Sequence, residues 1–288
     1  VLSVLLVNRE DRENLTRCLS SLKGEIEGIP HEIIVVDNDS SDGSQEFIRE
    51  NHPEVNLISS GENVGFARAN NRGLHECRGE FILLLNTDTV VMPGAVDILM
   101  TTLKSSAKLG AIGPALLLKG GKFQVSFGRK ISFWAELLQK GFLNHFYRLW
   151  LRISLKPRNV GWLSAACLLA RHSVLQEIGF FDANFFLYFE DIDLCLRIRK
   201  AGFDLLFQPK ARVHHVGGAT TARMKWWSRF HYRKSQIYFY QKHNSRSANV
   251  LLRTYLGLIF RLNILSGHLQ RSANLEERRR FLDLLREQ

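Results

Sequence analysis

Three short runs, residues 1–7, 32–36 and 81–85, are apolar but for Ser3 and Glu32 and show no alternation with polar positions. Each stops at an amide or a carboxylate: Asn8, Asp37 and the triplet Asn86-Thr87-Asp88. A strand that is apolar on both faces has to be covered on both faces. The intervening sequence supplies that cover. Leu15, Cys18, Leu19 and Leu22 fall at i, i+3, i+4 and i+7, and further helical patterns cover 45–50, 66–77 and 92–104, with another strand at 55–59. This alternation predicts an α/β fold, a mostly parallel sheet flanked by helices. Ligands of such sheets bind beyond the carboxyl ends of the strands. Asn8, Asp37 and Asp88 all lie at that edge.

The 288 residues are 45% hydrophobic and 23% charged, the balance of a folded chain with a sizeable core and not of a disordered one. The net charge of +11 is unevenly placed. Residues 1–220 carry 25 basic and 24 acidic side chains, whereas 221–288 carry 14 and 4. The sequence therefore divides into a body, 1–220, and a basic helical extension, 221–288. Within the body, 119–160 breaks the pattern, with Glu136 its one acid and with Phe123, Phe127, Phe133, Trp134, Phe146 and Trp150 among its aromatics. It reads as an insertion facing lipid or a partner, and it separates a half of about 1–118 from one of about 119–220. An apolar run at 161–170, a helix at 173–178, an aromatic run at 185–189, a helix at about 191–201 and strands at 205–208 and 212–216 follow.

No run of eighteen apolar residues exists, so no spanning helix is expected; the best stretch, 250–265, contains Arg253 and Arg261. The chain opens on Val1 inside an apolar run, short of a start methionine, and no basic-then-apolar leader supports secretion. Cys18, Cys77, Cys167 and Cys195 lack CxxC spacing, which argues against a zinc site or disulfide framework and fits a reducing cytoplasm.

Five motifs carry chemistry. In Asp37-Asn38-Asp39-Ser40-Ser41-Asp42-Gly43-Ser44, a strand-end carboxylate suits a nucleobase N–H or a ribose hydroxyl, while Asp39 and Asp42 read as turn and cap residues. In Asn63-Val64-Gly65-Phe66-Ala67-Arg68-Ala69-Asn70-Asn71, a glycine at a loop-to-helix junction lets backbone N–H groups approach a ligand, and Arg68 is placed for a phosphate. Asp88, after a buried strand and too early to cap the next helix, suits Mg²⁺ or Mn²⁺ carrying a diphosphate. The run from Phe185 to Phe189 leads into Glu190, Asp191 and Asp193. Carboxylates beside apolar surface are the raw material of general bases. Asp193 reads as an i+4 partner of Arg197. Last, His214-His215 precedes Gly217-Gly218, a place where a histidine can complete a metal site.

Taken together and in this order, NDSSDGS, NVGFARANN, LLLNTDT, FFLYFEDIDLCLR and HHVGG resemble the inverting family-two glycosyltransferases of the GT-A fold, within them the branch containing bacterial rhamnosyltransferases. The resemblance covers roughly 1–220, which it makes the catalytic domain, with the nucleotide-binding half first and the acceptor half second. It implies that Asn8, Asp37, Asn63, Gly65, Arg68, Asn70 and Asn86 hold a nucleoside-diphosphate sugar. It places a DXD-type motif on Asn86-Thr87-Asp88, the first aspartate replaced by asparagine, with Mg²⁺ or Mn²⁺ on Asp88 and, aligned by the glycines, on His215, His214 being the alternative. It implies Asp191 as the catalytic base, with Glu190 and Trp162 on the acceptor side. Ser164-Ala165-Ala166 departs from the Ser-Gly-Ala of relatives, and the added methyl narrows that side. The expected acceptor is a glycan or polyprenyl-linked glycan, rhamnose the expected sugar, and the cytoplasmic face of the plasma membrane the expected location. The extension, basic and rich in Trp226, Trp227, Phe230, Tyr232, Tyr238, Phe239 and Tyr240, is expected to dock on that membrane surface. Competing readings are a sugar-1-phosphate nucleotidyltransferase, which needs a phosphate loop that Asn8-Arg9-Glu10-Asp11 does not make, and a basic nucleic-acid-binding protein, for which no recognised module is present.

Overall fold

The computed structural model describes residues 1–129, 155–216, 225–265 and 275–286. Phe133, Trp134, Phe146, Trp150, Gly217 and Gly218 lie outside the described residues. Strands β1 (Leu2–Asn8), β2 (His31–Asp37), β3 (Val55–Ser59) and β4 (Phe81–Asn86) alternate with helices α1 (Arg12–Ile26), α2 (Ser44–Asn51) and α3 (Phe66–Glu76). Then come β5 (Thr89–Val91), α4 (Ala95–Lys104), β6 (Leu109–Leu117) and four short strands or bridges: β7 (Phe123–Gln124), β8 (Phe127–Gly128), β9 (Arg158–Asn159) and β10 (Trp162–Leu163). The body closes with β11 (Cys167–Arg171), α5 (His172–Glu177), α6 (Glu190–Lys200) and β12 (Asp204–His215). The extension is helical: α7 (Lys225–His243), α8 (Arg246–Leu265) and α9 (Leu275–Arg286).

The main sheet runs β3-β2-β1-β4-β11-β6-β12-β5. Its first four strands are parallel, β11 is antiparallel to both neighbours, and β5 is antiparallel to β12. Successive side chains of a strand point to opposite faces. Leu2, Val4 and Leu6 thus pack with Leu15, Leu19 and Leu22 of α1 on one face, while Leu5 packs with Ala67, Ala69 and Leu74 of α3 on the other. Gly73 lets α3 sit this close, since a Cβ there would come within 2.2 Å of Leu5 Cδ1.

Two elements go beyond the sequence pattern. β6 is a nine-residue strand whose Gly110, Gly113 and Pro114 disguise it as a turn. The glycines make room for neighbours: a Cβ on Gly113 would approach Leu163 Cδ2 to 2.9 Å. The expected strands 205–208 and 212–216 are one strand, β12, with a register shift between Gln208 and Arg212. The helix expected from 92 starts at Ala95, because Met92 to Gly94 form the turn that leads into it.

Candidate active site

Register builds the site. Asn8 pairs with Asp37 and Asp37 with Ser59, while Asn86 is level with Val7, so the polar strand ends lie side by side at one edge. β5 continues from this edge and pairs with β12, setting His215 opposite Thr89. His215 Nε2 lies 3.1 Å from Asp88 Oδ1. His214 points to the other side of the strand, opposite Val90.

A cavity of about 340 Å³ opens over this edge, lined among others by Asn38, Asn63, Gly65, Asn86, Asp88, Asp191 and His215. On its far wall, α6 begins with Glu190 and Asp191. The chain enters α6 through Tyr188 (φ 70°) and Phe189 (φ 67°), two consecutive non-glycine residues in the left-handed region. That conformation is unfavourable for L side chains and persists only where surroundings impose it. Here Phe185 and Phe189 are buried, and Tyr232 of α7 packs on both Tyr188 and Phe189.

Asp191 Oδ1 accepts from the Ile192 N–H at 2.8 Å and Oδ2 from Ala165 at 3.4 Å. Burial outweighs these two bonds and raises its carboxyl to about 6. Glu190 is pushed well above the ordinary range, first by burial and then by the charge of Asp191. Two positions on, fully buried Asp193 accepts from Arg197 at 2.8 Å, as its spacing predicts, and also from His243 at 2.7 Å and Lys242 at 2.7 Å of α7. Burial alone would raise its carboxyl; these donors outweigh burial and hold it at about 2. Lys242 also binds Asp182 at 2.6 Å, tying α7 to both ends of the aromatic segment that leads into α6.

The other candidate residues separate into two groups. Asn63, Gly65, Asn86 and Glu190 line the cavity. Asn8 and Asp37 lie beneath it. Both are fully buried, with Asn8 Nδ2 donating to Asp37 Oδ2 at 3.1 Å, and Ser40 N–H and Gln45 Nε2 donating to Oδ1 at 3.0 and 2.8 Å. Asn38, one residue on, reaches the cavity and exchanges bonds with Asn63 and Val64. Arg68 and Asn70 turn away: Arg68 Nε donates to Ala183 O at 3.1 Å, and Asn70 binds Phe66 O within its own helix. The 63–71 motif therefore laces α3 to the aromatic segment, with Phe66 N–H on Phe186 O at 2.7 Å. Trp162 also lies off the cavity, its indole packed over Gly128.

Sequence reasoning missed Arg9, Asp11, Phe186, Tyr188 and Trp227, all of which line the cavity. Trp227 comes from α7 and packs with Phe186 and His231 in an aromatic wall. Burial lowers His231 to about 4, so its ring is neutral there. The buried atoms Arg9 Nε, Asn86 Oδ1 and Glu190 Oε2 have no hydrogen-bond partner among the described residues. Such orphans around a cavity mark polar demand that a ligand satisfies.

Asp88 and His215 suit a divalent cation. Gln124 Oε1, which can only accept, lies 2.8 Å from His215 Nδ1, so that nitrogen carries a proton and Nε2 faces the carboxylate. Among the described residues no group of three or more His, Cys, Asp and Glu side chains forms a closed metal site. A cation held by this pair would have room for substrate oxygens and water beside it.

A family model described as glycosyltransferase like family 2 matches residues 2–238. An N-acetylglucosaminyl-diphospho-decaprenol L-rhamnosyltransferase of Mycobacterium tuberculosis is 30% identical over 99% of this chain and 98% of its own. Among solved structures, GalNAc-T7 with UDP, GalNAc and Mn²⁺ has a TM-score of 0.61 at 16% identity, covering 83% of this chain and 49% of that one. The mannosyltransferase PcManGT of Pyrobaculum calidifontis, in complex with GDP-Man and Mn²⁺, has a TM-score of 0.61 at 14% identity, covering 96% and 76%. With its mixed sheet, its strand-end cavity and this match, the chain belongs to the family-2 glycosyltransferases and is built on the GT-A fold.

Proposed function

We propose that the enzyme transfers a hexose, rhamnose, from a nucleoside-diphosphate sugar to a hydroxyl of a polyprenyl-linked or polysaccharide acceptor, with inversion at the anomeric carbon. The observation that carries this reading is that Asp191, Asp88 and His215 all line one cavity. The relative that is similar over the full chain length supports the sugar and the lipid-linked acceptor.

The nucleoside end of the donor lies against Asn38 and Asn63, which Asn8 and Asp37 hold in place from below. Arg9, with its unpartnered buried Nε, is a binding group for the diphosphate, a role the sequence had pointed to in Arg68. When bound at Asp88 and His215, Mg²⁺ or Mn²⁺ supplies Lewis-acid neutralisation of the diphosphate. The rest is carried by the chain's own groups. Asp191 takes the proton of the acceptor hydroxyl, whose oxygen bonds to the anomeric carbon as the bond to the diphosphate oxygen breaks. The nucleoside diphosphate leaves with that electron pair. Glu190, which lines the cavity beside the base, is placed to hydrogen-bond the acceptor. Trp227, Phe186 and Tyr188 offer apolar surface to the acceptor where Trp162 had been expected to do so.

No helix among the described residues is long and apolar enough to cross a membrane. The reading places the enzyme at the inner face of the plasma membrane, where nucleotide sugars and lipid-linked acceptors meet. A screen of nucleoside-diphosphate sugars, reading nucleoside diphosphate release with and without EDTA, tests it. Release from dTDP-rhamnose that depends on an acceptor and on Mg²⁺ or Mn²⁺ is expected. Full turnover in EDTA removes the metal, and turnover confined to another donor removes rhamnose.

A further inference from the structure

The aromatic rings that the sequence assigns to a lipid interface are used inside the protein. Phe239 and Tyr240 are fully buried, Tyr232 packs on Tyr188 and Phe189, and Trp227 lines the active-site cavity. What the extension exposes is aliphatic and belongs to α8. This helix buries Leu252, Leu256 and Phe260 along one side. Phe260 stacks on Phe281 of α9 with centroids 4.6 Å apart, and Arg253 Nη1 donates to the carbonyls of Leu284 and Leu285. The rotation of α8 about its axis is thereby fixed.

At 3.6 residues per turn, the side opposite this seam carries Val250, Leu251, Leu258 and Leu262. They are 56%, 46%, 57% and 54% exposed. Among the described residues seven large hydrophobic side chains are exposed, and these four of them share one helix face. Thr254 and Arg261 complete the strip. From 205 to 275 the sequence holds twelve basic and no acidic side chains, so no carboxylate of this stretch opposes an anionic surface.

We propose that this face of α8 is a membrane-contact surface, the helix lying along an anionic bilayer. Val250, Leu251, Leu258 and Leu262 enter the headgroup–acyl boundary, and Arg261, exposed on the same face, meets the headgroups. An amphipathic helix with an aliphatic stripe and cationic flanks binds in this way. A second copy of the chain is the less suitable occupant, because it brings +11 against +11. The inference deepens the proposed function and rests on its lipid-linked acceptor, which only an enzyme at the bilayer surface reaches.

The test is sedimentation of the full chain with vesicles, without donor or acceptor, alongside analytical ultracentrifugation. Binding to phosphatidylglycerol/phosphatidylcholine vesicles is expected to rise with the phosphatidylglycerol fraction, to fall with salt, and to be weak on phosphatidylcholine alone. The double variant Leu251→Gln/Leu258→Gln is expected to lower partitioning by at least about tenfold while melting temperature and turnover of a water-soluble acceptor stay unchanged. Three results overturn the proposal: no binding at low salt, binding that the double variant leaves intact, or a dimer that the double variant abolishes. Failure here leaves the acceptor reading standing, since no acceptor is present. If vesicles bind but a lipid-linked acceptor is never glycosylated, the acceptor reading alone falls.

Discussion

Asp191 and Asp193 sit two positions apart at the start of one helix, and burial acts on both. Around Asp191 only backbone amides oppose it, and the carboxyl rises to about 6. Around Asp193 three cationic or hydrogen-bonding donors win, and the carboxyl falls to about 2. In the proposed mechanism the first serves as the base, and the second is a structural anion. Catalysis by Asp191 needs its ionised form, so kcat/KM is predicted to rise with pH through about 6 and to level off above it. Asp191→Asn should lower kcat by about 10²–10⁴-fold and leave melting unchanged. Normal turnover by this variant would move the base elsewhere. Histidine identity is a second residue-scale matter. Because His215 faces Asp88 and His214 does not, His215→Ala should raise the concentration of Mn²⁺ needed for half-maximal rate well above that of His214→Ala. Equal titration curves for the two variants would remove the assignment.

At the scale of elements, the site depends on contacts that hold α6 and its lead-in segment. Gly65 (φ 84°) is one: a Cβ there would meet Phe186 O at 2.6 Å, a backbone atom that cannot swing aside. Gly65→Ala should therefore displace the segment before Asp191, raising donor KM and lowering kcat by at least about tenfold. Kinetics indistinguishable from the unaltered enzyme would show the segment to be compliant. The clamp between α6 and α7 is another. Asp193→Asn leaves Arg197 and Lys242 without their buried anion and should cost about 3 kcal/mol, measured by denaturant unfolding. A carboxyl held below its unfolded value stabilises the fold in full above about pH 4, and that contribution is lost as pH falls through 2. The unaltered protein should lose its advantage over the variant across this interval, and an offset constant with pH would contradict the clamp. Sequence periodicity located most of these elements, since β1, β2 and β4 are apolar on both faces. It missed β6, where Gly110, Gly113 and Pro114 serve close packing and not a turn, and three-residue β5, too short to have a period.

Over the whole molecule, the strand-end logic that made Asn8, Asp37 and Asp88 candidates was legible because register in a parallel sheet follows from its hydrophobic pattern. The remainder was not legible, because it comes from chain segments far apart in sequence. Trp227 reaches the cavity from the extension, and Asp193 meets His243 across fifty positions. Arg68, a fitting phosphate ligand by residue type, is held by Ala183 O, whereas Arg9, which looked like a loop residue, lines the cavity. The extension thus lines the candidate site through Trp227, and its aromatic rings serve packing where composition alone suggested lipid. The proposed reaction is a single displacement, in which Asp191 deprotonates an acceptor that attacks opposite the departing diphosphate. Proton NMR of the freshly formed glycoside tests it most directly. An anomeric configuration opposite to that of the donor is the predicted result; retention of the donor's configuration would contradict it.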